Sequence, residues 1–172
     1  HCQAYTSLEQ ALQEEQPDAV AICSPWQFHA EQLRQVAQAG SHCLVEKPLA
    51  WPSEDTQVDH LIGAFEQRGL LLEMIAQWPF TLATFCALHG TLPKDIHRFQ
   101  MRLSPISIGP TMITDSAPHF ISMLQHLMGP GNCHHVTLDN SLGAHEKNTR
   151  LSLACSYLHS GGECEAQLLL ET

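Results

Sequence analysis

Apolar and polar positions change their period along the chain, and the first half alternates helix-like with strand-like stretches. Leu8, Ala11 and Leu12 form a short stripe at helical spacing behind Ser7, with Gln10 three residues further on, the arrangement of a capping box, and Pro17 stops the helix. Residues Asp18 to Ser24 then read as a buried strand. A second helix is predicted from about Phe28 to Ala39, with Leu33, Val36 and Ala37 on one face and Gly40 as a left-handed stop. A strand from His42 to Val45 follows at once. Ser53 is placed to cap a third helix, with Glu54 and Asp55 at the positive end of its dipole and Val58, Leu61, Ile62 and Phe65 on its apolar face. Gly69 ends that helix, and Leu70 to Ala76 gives another strand. Strand, helix, strand, helix, strand with short connections makes two crossover units, hence parallel neighbours with helices packed on the sheet faces.

After Trp78 the period changes to two. Phe99, Met101 and Leu103 fall on one side of Arg98 to Leu103, Leu151, Leu153, Cys155 and Tyr157 on one side of Arg150 to Tyr157, and Glu163 to Leu170 alternates again after Gly161-Gly162. Strands of this kind keep one face solvated and usually pair antiparallel. One clear helix, roughly Asp115 to Met128, lies between them, its start set by Pro118, which a first turn tolerates. Phe120, Ile121, Leu124, Leu127 and Met128 make its apolar stripe, and Asp115, His119, Ser122 and His126 its polar face. The fold class is α/β: a parallel sheet over residues 1–77, then an α+β domain with an open, mostly antiparallel sheet over residues 78–172.

Composition narrows the chemistry. Eighteen acids against eight bases give a formal charge of −10, which argues against sequence-independent nucleic-acid binding, because neutralising a phosphate backbone requires a cationic face. No apolar run approaches the ~18 residues of a membrane span, and His1-Cys2-Gln3-Ala4 lacks the features of a signal peptide. Seven scattered cysteines with no Cys-x-x-Cys pair suit reduced, mostly buried thiols in a cytoplasmic protein. Cys133-His134-His135 raises a metal reading, but adjacent residues of a strand point to opposite faces and cannot close a tetrahedral site unaided, so no metal is assigned.

In an open parallel sheet, ligands bind beyond the carboxyl ends of the strands. Three such ends carry polar or aromatic groups with a proline: Ser24-Pro25-Trp26 with His29 after it, Glu46-Lys47-Pro48, and Gln77-Trp78-Pro79. Lys47 is the only base between Arg34 and Arg68, and Pro48 holds it toward extended backbone and permits a cis bond. On spacing alone, Lys47 also fits an ordinary strand-end lysine, Asp115 a helix cap and His119 a surface residue. Trp26, Trp51 and Trp78 fit either an aromatic pocket or core packing.

The run DAVAICSPWQFHAEQLRQVAQAGSHCLVEKP, Asp18 to Pro48, resembles the nucleotide-binding domain of the Gfo/Idh/MocA oxidoreductases, whose fourth and fifth strands end in Thr/Ser-Pro-x-x-x-His and Glu-Lys-Pro. Asp115-Ser-Ala-Pro-His119 matches the family's Asp-x-x-x-His pair. Trp26 stands where asparagine is common, and Ser122 where many members have aspartate. The resemblance implies a Rossmann-type domain leading into a substrate and oligomerisation domain, with NAD or NADP as cofactor. It places Ser24, Pro25, Trp26, His29, Glu46, Lys47, Pro48 and Gln77 at the cofactor, and makes Lys47, Asp115 and His119 catalytic. The implied reaction is hydride transfer between the nicotinamide and a secondary alcohol of a sugar, polyol or related ring compound. His119 would take the hydroxyl proton, Asp115 would hydrogen-bond to substrate or to His119, and Lys47 would polarise the oxygen. A small-molecule substrate and a homo-oligomer follow as the expected partners.

The Gly-x-Gly-x-x-Gly fingerprint does not occur in these 172 residues; in the family it precedes the segment beginning at His1. The expectation is a piece of a longer enzyme that alone binds dinucleotide weakly and is inactive. A non-catalytic Rossmann-like sensor or scaffold, and an NAD-dependent glycoside-cleaving relative, stay open as alternatives.

Overall fold

In a computed structural model that describes residues 3–50, 55–92, 95–140 and 150–172, the chain divides into two units, His1–Ile75 and Ala76–Thr172. In the first, the Ser7 hydroxyl oxygen accepts from the Gln10 N–H and starts α1 (Leu8–Glu15), and Gln16, in the left-handed region, ends it. Strands β1 (Ala19–Ile22), β2 (His42–Val45) and β3 (Leu72–Met74) are parallel, in the order β1-β2-β3. Helices α2 (His29–Ala39) and α3 (Asp55–Glu66) make the crossovers, and a 3-10 turn, Trp26–Phe28, leads into α2. Gly40 stops α2 at φ 81°, where a side chain would be strained. Leu33 and Val36 of α2, Val45 of β2 and Phe65 of α3 are the most completely buried residues of this core. The positions read as the start of the third helix, Ser53 and Glu54, lie outside the described residues, as does Trp51.

The second unit contains α4 (Thr81–His89), β4 (Arg98–Leu103), α5 (Thr111–Met128), β5 (Gly131–Asp139), β6 (Arg150–His159) and β7 (Gly162–Glu171). Its sheet runs β4-β7-β6-β5, antiparallel except for the parallel pair β4 and β7. The inward faces of β6 and β7 present Leu151, Tyr157, Leu168 and Leu170 to Met112, Phe120 and Leu124 of α5. The outward face is a polar ladder. Arg98 pairs with Glu165 at 3.6 Å, Gln100 donates to Gln167 at 2.7 Å, and Glu171 takes both Arg102 and Arg150.

Helix α5 corrects one expectation. It begins a full turn before Asp115, so Pro118 sits inside it. A proline there forfeits the bond to the carbonyl four residues back. The extra turn compensates by burying Met112 completely, and the Thr111 and Thr114 hydroxyls donate to the Ile108 and Thr111 carbonyls. The stripe also shifts: Met112, Phe120, Met123 and Leu124 are buried, whereas Ile121, Leu127 and Met128 are half-buried.

Gly131 opens β5 against the Tyr157 ring, and a Cβ there would stand 2.4 Å from the Leu158 carbonyl oxygen and 2.7 Å from Tyr157 Cζ. The ring is anchored, since its hydroxyl donates to the Gly129 carbonyl at 2.7 Å. Gly131→Ala therefore costs about 1–3 kcal/mol of stability through overpacking. Urea unfolding of wild type and variant measures it, and equal midpoints would mean that the ring yields freely.

Candidate functional site

Ile22, Val45 and Met74 stand in register across the three parallel strands, so β1, β2 and β3 end on one edge. Two of the motif loops leave that edge. The loop after β1 is tied to α2 through Ser24, whose hydroxyl donates to Gln32 Oε1. The loop after β2 starts with the Glu46 N–H donating to the Ile22 carbonyl at 2.9 Å, which holds both loop roots together. The next N–H, that of Lys47, faces the Glu46 carboxylate at 3.2 Å. The Lys47-Pro48 peptide is cis. Ser24, Trp26, Glu46, Lys47 and Pro48 are half-buried, open enough to meet a ligand, and Pro25 is exposed.

His29 is different, being fully buried. Its Nδ1 lies 2.8 Å from the Pro48 carbonyl oxygen and its Nε2 2.8 Å from that of Ser24.

An open hollow of about 790 Å³ in the same unit, lined in part by Gln13, Asp18, Glu31 and His42, lies toward the opposite ends of β1 and β2. Ligands of open parallel sheets sit beyond the carboxyl ends of the strands, so this hollow is a surface groove away from the motif residues.

In the second unit, α5 sets Asp115 and His119 one turn apart on its half-buried flank. The Ser107 hydroxyl donates to Asp115 Oδ2 at 3.3 Å and orients the carboxylate. Trp78 meets the His119 ring edge to face, centroids 6.1 Å apart at 63°, which limits the rotation of the imidazole. Ser122 turns its hydroxyl back onto the His119 carbonyl at 2.8 Å, a local helix bond that occupies its proton. Gln77 is exposed, just ahead of the 3-10 turn Trp78–Phe80, and His126 is exposed on the last turn of α5.

Two supporting residues, Gln32 and Ser107, lie outside the sequence motifs. Gln32 falls three positions after His29 on α2, a spacing that marks a shared face. Ser107 sits in irregular chain ahead of α5, and nothing in its neighbours announces the contact.

The buried thiols make poor nucleophiles. Burial pushes the Cys43 thiol up to about 11 and the Cys155 thiol up to about 12, so both stay protonated near neutrality. Cys155 donates to Cys133 Sγ at 3.3 Å, and among the described residues no group of histidine, cysteine and acidic side chains is arranged to hold a metal ion. No helix among them is long and apolar enough to cross a membrane.

The fold is shared with known proteins. The sequence model of the Gfo/Idh/MocA oxidoreductase family, NAD-binding Rossmann fold, matches residues 1–74. A UDP-N-acetylglucosamine 3-dehydrogenase of Acidithiobacillus ferrooxidans is 39% identical over 71 residues, 41% of this chain and 21% of that protein. The solved structure of a UDP-N-acetylglucosamine 3-dehydrogenase from the same organism superposes with a TM-score of 0.72 at 23% identity, covering 99% of this chain and 55% of its own. The WlbA dehydrogenase of Bordetella pertussis, solved with NADH and UDP-GlcNAcA, gives 0.67 at 18% identity, covering 97% and 52%. The chain thus spans about half the length of the solved structures it matches.

Proposed function

We propose that the whole protein, whose residues 1–74 match the model of the Gfo/Idh/MocA oxidoreductase family, NAD-binding Rossmann fold, transfers a hydride between a nicotinamide dinucleotide and a secondary alcohol of a sugar or polyol-like ring. The observation that carries the proposal is the Glu46-Lys47-Pro48 turn at the carboxyl end of the central parallel strand, rooted to the neighbouring strand through the Ile22 carbonyl. A cation and a carboxylate at that edge, beside the Ser24-Pro25-Trp26 loop, offer one donor and one acceptor suited to a nicotinamide and its reacting alcohol.

When bound, the nicotinamide supplies the hydride acceptor. Ser24, Pro25, Trp26, Glu46, Pro48 and Gln77 are assigned to holding the cofactor, NAD in the matching family. Lys47 is assigned to the substrate oxygen, where its ammonium lowers the cost of the developing negative charge. His119 accepts the hydroxyl proton as its carbon is oxidised and returns it in the reverse direction. Asp115, oriented by Ser107, serves as the hydrogen-bond acceptor that fixes substrate or imidazole. The sugar-like substrate class is carried over from the relatives named above, two of which are a UDP-N-acetylglucosamine dehydrogenase and a dehydrogenase solved with a nucleotide sugar.

The test is a panel of sugars, polyols and nucleotide sugars offered to the full-length protein with NAD, read by absorbance of the reduced nicotinamide. Turnover is expected with ring secondary alcohols. Tight NAD binding without reduction by any member of the panel would instead mark a binding protein.

A further inference from the structure

His29 is fully buried, and both of its ring nitrogens lie 2.8 Å from backbone carbonyl oxygens, those of Ser24 and Pro48. A carbonyl oxygen only accepts, so each contact is a hydrogen bond only where that nitrogen carries a proton. A neutral imidazole has one N–H and would turn a lone pair toward the other oxygen. Whichever nitrogen donates, the ring is wedged between the two oxygens and within reach of both. The two carbonyls belong to different loops: Ser24 follows β1, and Pro48 follows Lys47 beyond β2. The ring spans them from the first turn of α2, the helix that also holds the Ser24 hydroxyl through Gln32.

We propose that His29 is a positioning residue, whose buried ring clamps the loop after β1 to the loop after β2 and thereby sets where Lys47 stands. This moves His29 from contact with the cofactor, the role its motif suggested, to a place behind the loops that make contact. The inference rests on the reading of Lys47 as the group at the reacting oxygen. A shift of about 1 Å in such a group can cost on the order of 100-fold in rate.

Two measurements on the full-length protein test it. In wild type, NMR of nitrogen-15-labelled histidine is expected to show the His29 ring held in hydrogen bonding, its ring proton slow to exchange with water; a freely exchanging ring proton overturns the clamp. In His29→Gln, which keeps a polar side chain but lacks the rigid ring that spans both carbonyls, kcat per folded molecule is expected to fall about 10- to 100-fold, with NAD affinity changed far less. A role confined to stability would lower the melting temperature and leave kcat per folded molecule intact, and that result also overturns the proposal. Should His29→Gln not fold, the ring proton of wild type decides. Lys47→Ala separates the two readings. Normal turnover in Lys47→Ala brings down the reading of Lys47, and the positioning role with it, whereas a dead Lys47→Ala beside a normal His29→Gln brings down the clamp alone.

Discussion

Lys47→Ala in the full-length protein is expected to lower kcat by at least about 100-fold while leaving the melting curve and the NAD affinity close to wild type. The size follows from where the charge sits. Lys47 is half-buried at the end of β2, partly withdrawn from water, where a cation acts on developing negative charge more strongly than it would in bulk solvent. The fold tolerates the change because the strand is secured by its neighbours: Val45 and Cys43 stay buried, and the Glu46 N–H keeps the Ile22 carbonyl. Lys47→Arg is expected to recover only part of the rate, since a planar guanidinium presents its charge differently from an ammonium. Steady-state kinetics beside circular dichroism measure both variants, and near-normal kcat in Lys47→Ala would remove the assignment.

His119→Ala is expected to give the second large effect, a loss of about 100- to 10,000-fold in kcat for removing the proposed general base. The side chain lies on the half-buried flank of α5 and is not one of the fully buried core residues, so truncation leaves Met112, Phe120 and Leu124 packed. Trp78 loses the ring it packs against, a contact worth about 1 kcal/mol. The discriminating result is therefore a deep kinetic loss with a small shift in melting temperature. A protein that turns over at a tenth of the normal rate without His119 would have its proton acceptor elsewhere.

The elements most legible in the sequence were those with one buried face and clear ends. Arg98 to Leu103 is a strand with the bounds that its alternation gave, and Ser7 and Gly40 act at the helix ends where their chemistry placed them. Three features escaped for physical reasons. Helix α4, TLATFCALH, distributes apolar residues around its circumference and leaves Phe85 and Leu88 exposed, so it shows no stripe to read. Strand β5 lies at the sheet edge, is mostly exposed on both faces, and bulges between His134 and Thr137 with His135 at φ 51°, which breaks the alternation. The extra turn of α5 was hidden by Pro118, because the burial of Met112 outweighs a local preference. At the candidate site, the motifs named Lys47 and His29, but the carbonyls that His29 meets are set by tertiary folding, and backbone oxygens leave no mark in a sequence.

The charged and amide rungs on the outer side of the second sheet work as a checksum for assembly. Sliding β4 by two residues along β7 keeps Phe99, Met101 and Leu103 facing inward, so the apolar side alone does not detect the error. The rungs do. In one direction Gln100 comes to face Glu165 and Arg102 to face Gln167, and in the other Gln100 faces Leu169; either way the matched amides separate. Each mismatched rung forfeits roughly 0.2–1 kcal/mol, and together they reject an alignment that hydrophobicity would accept.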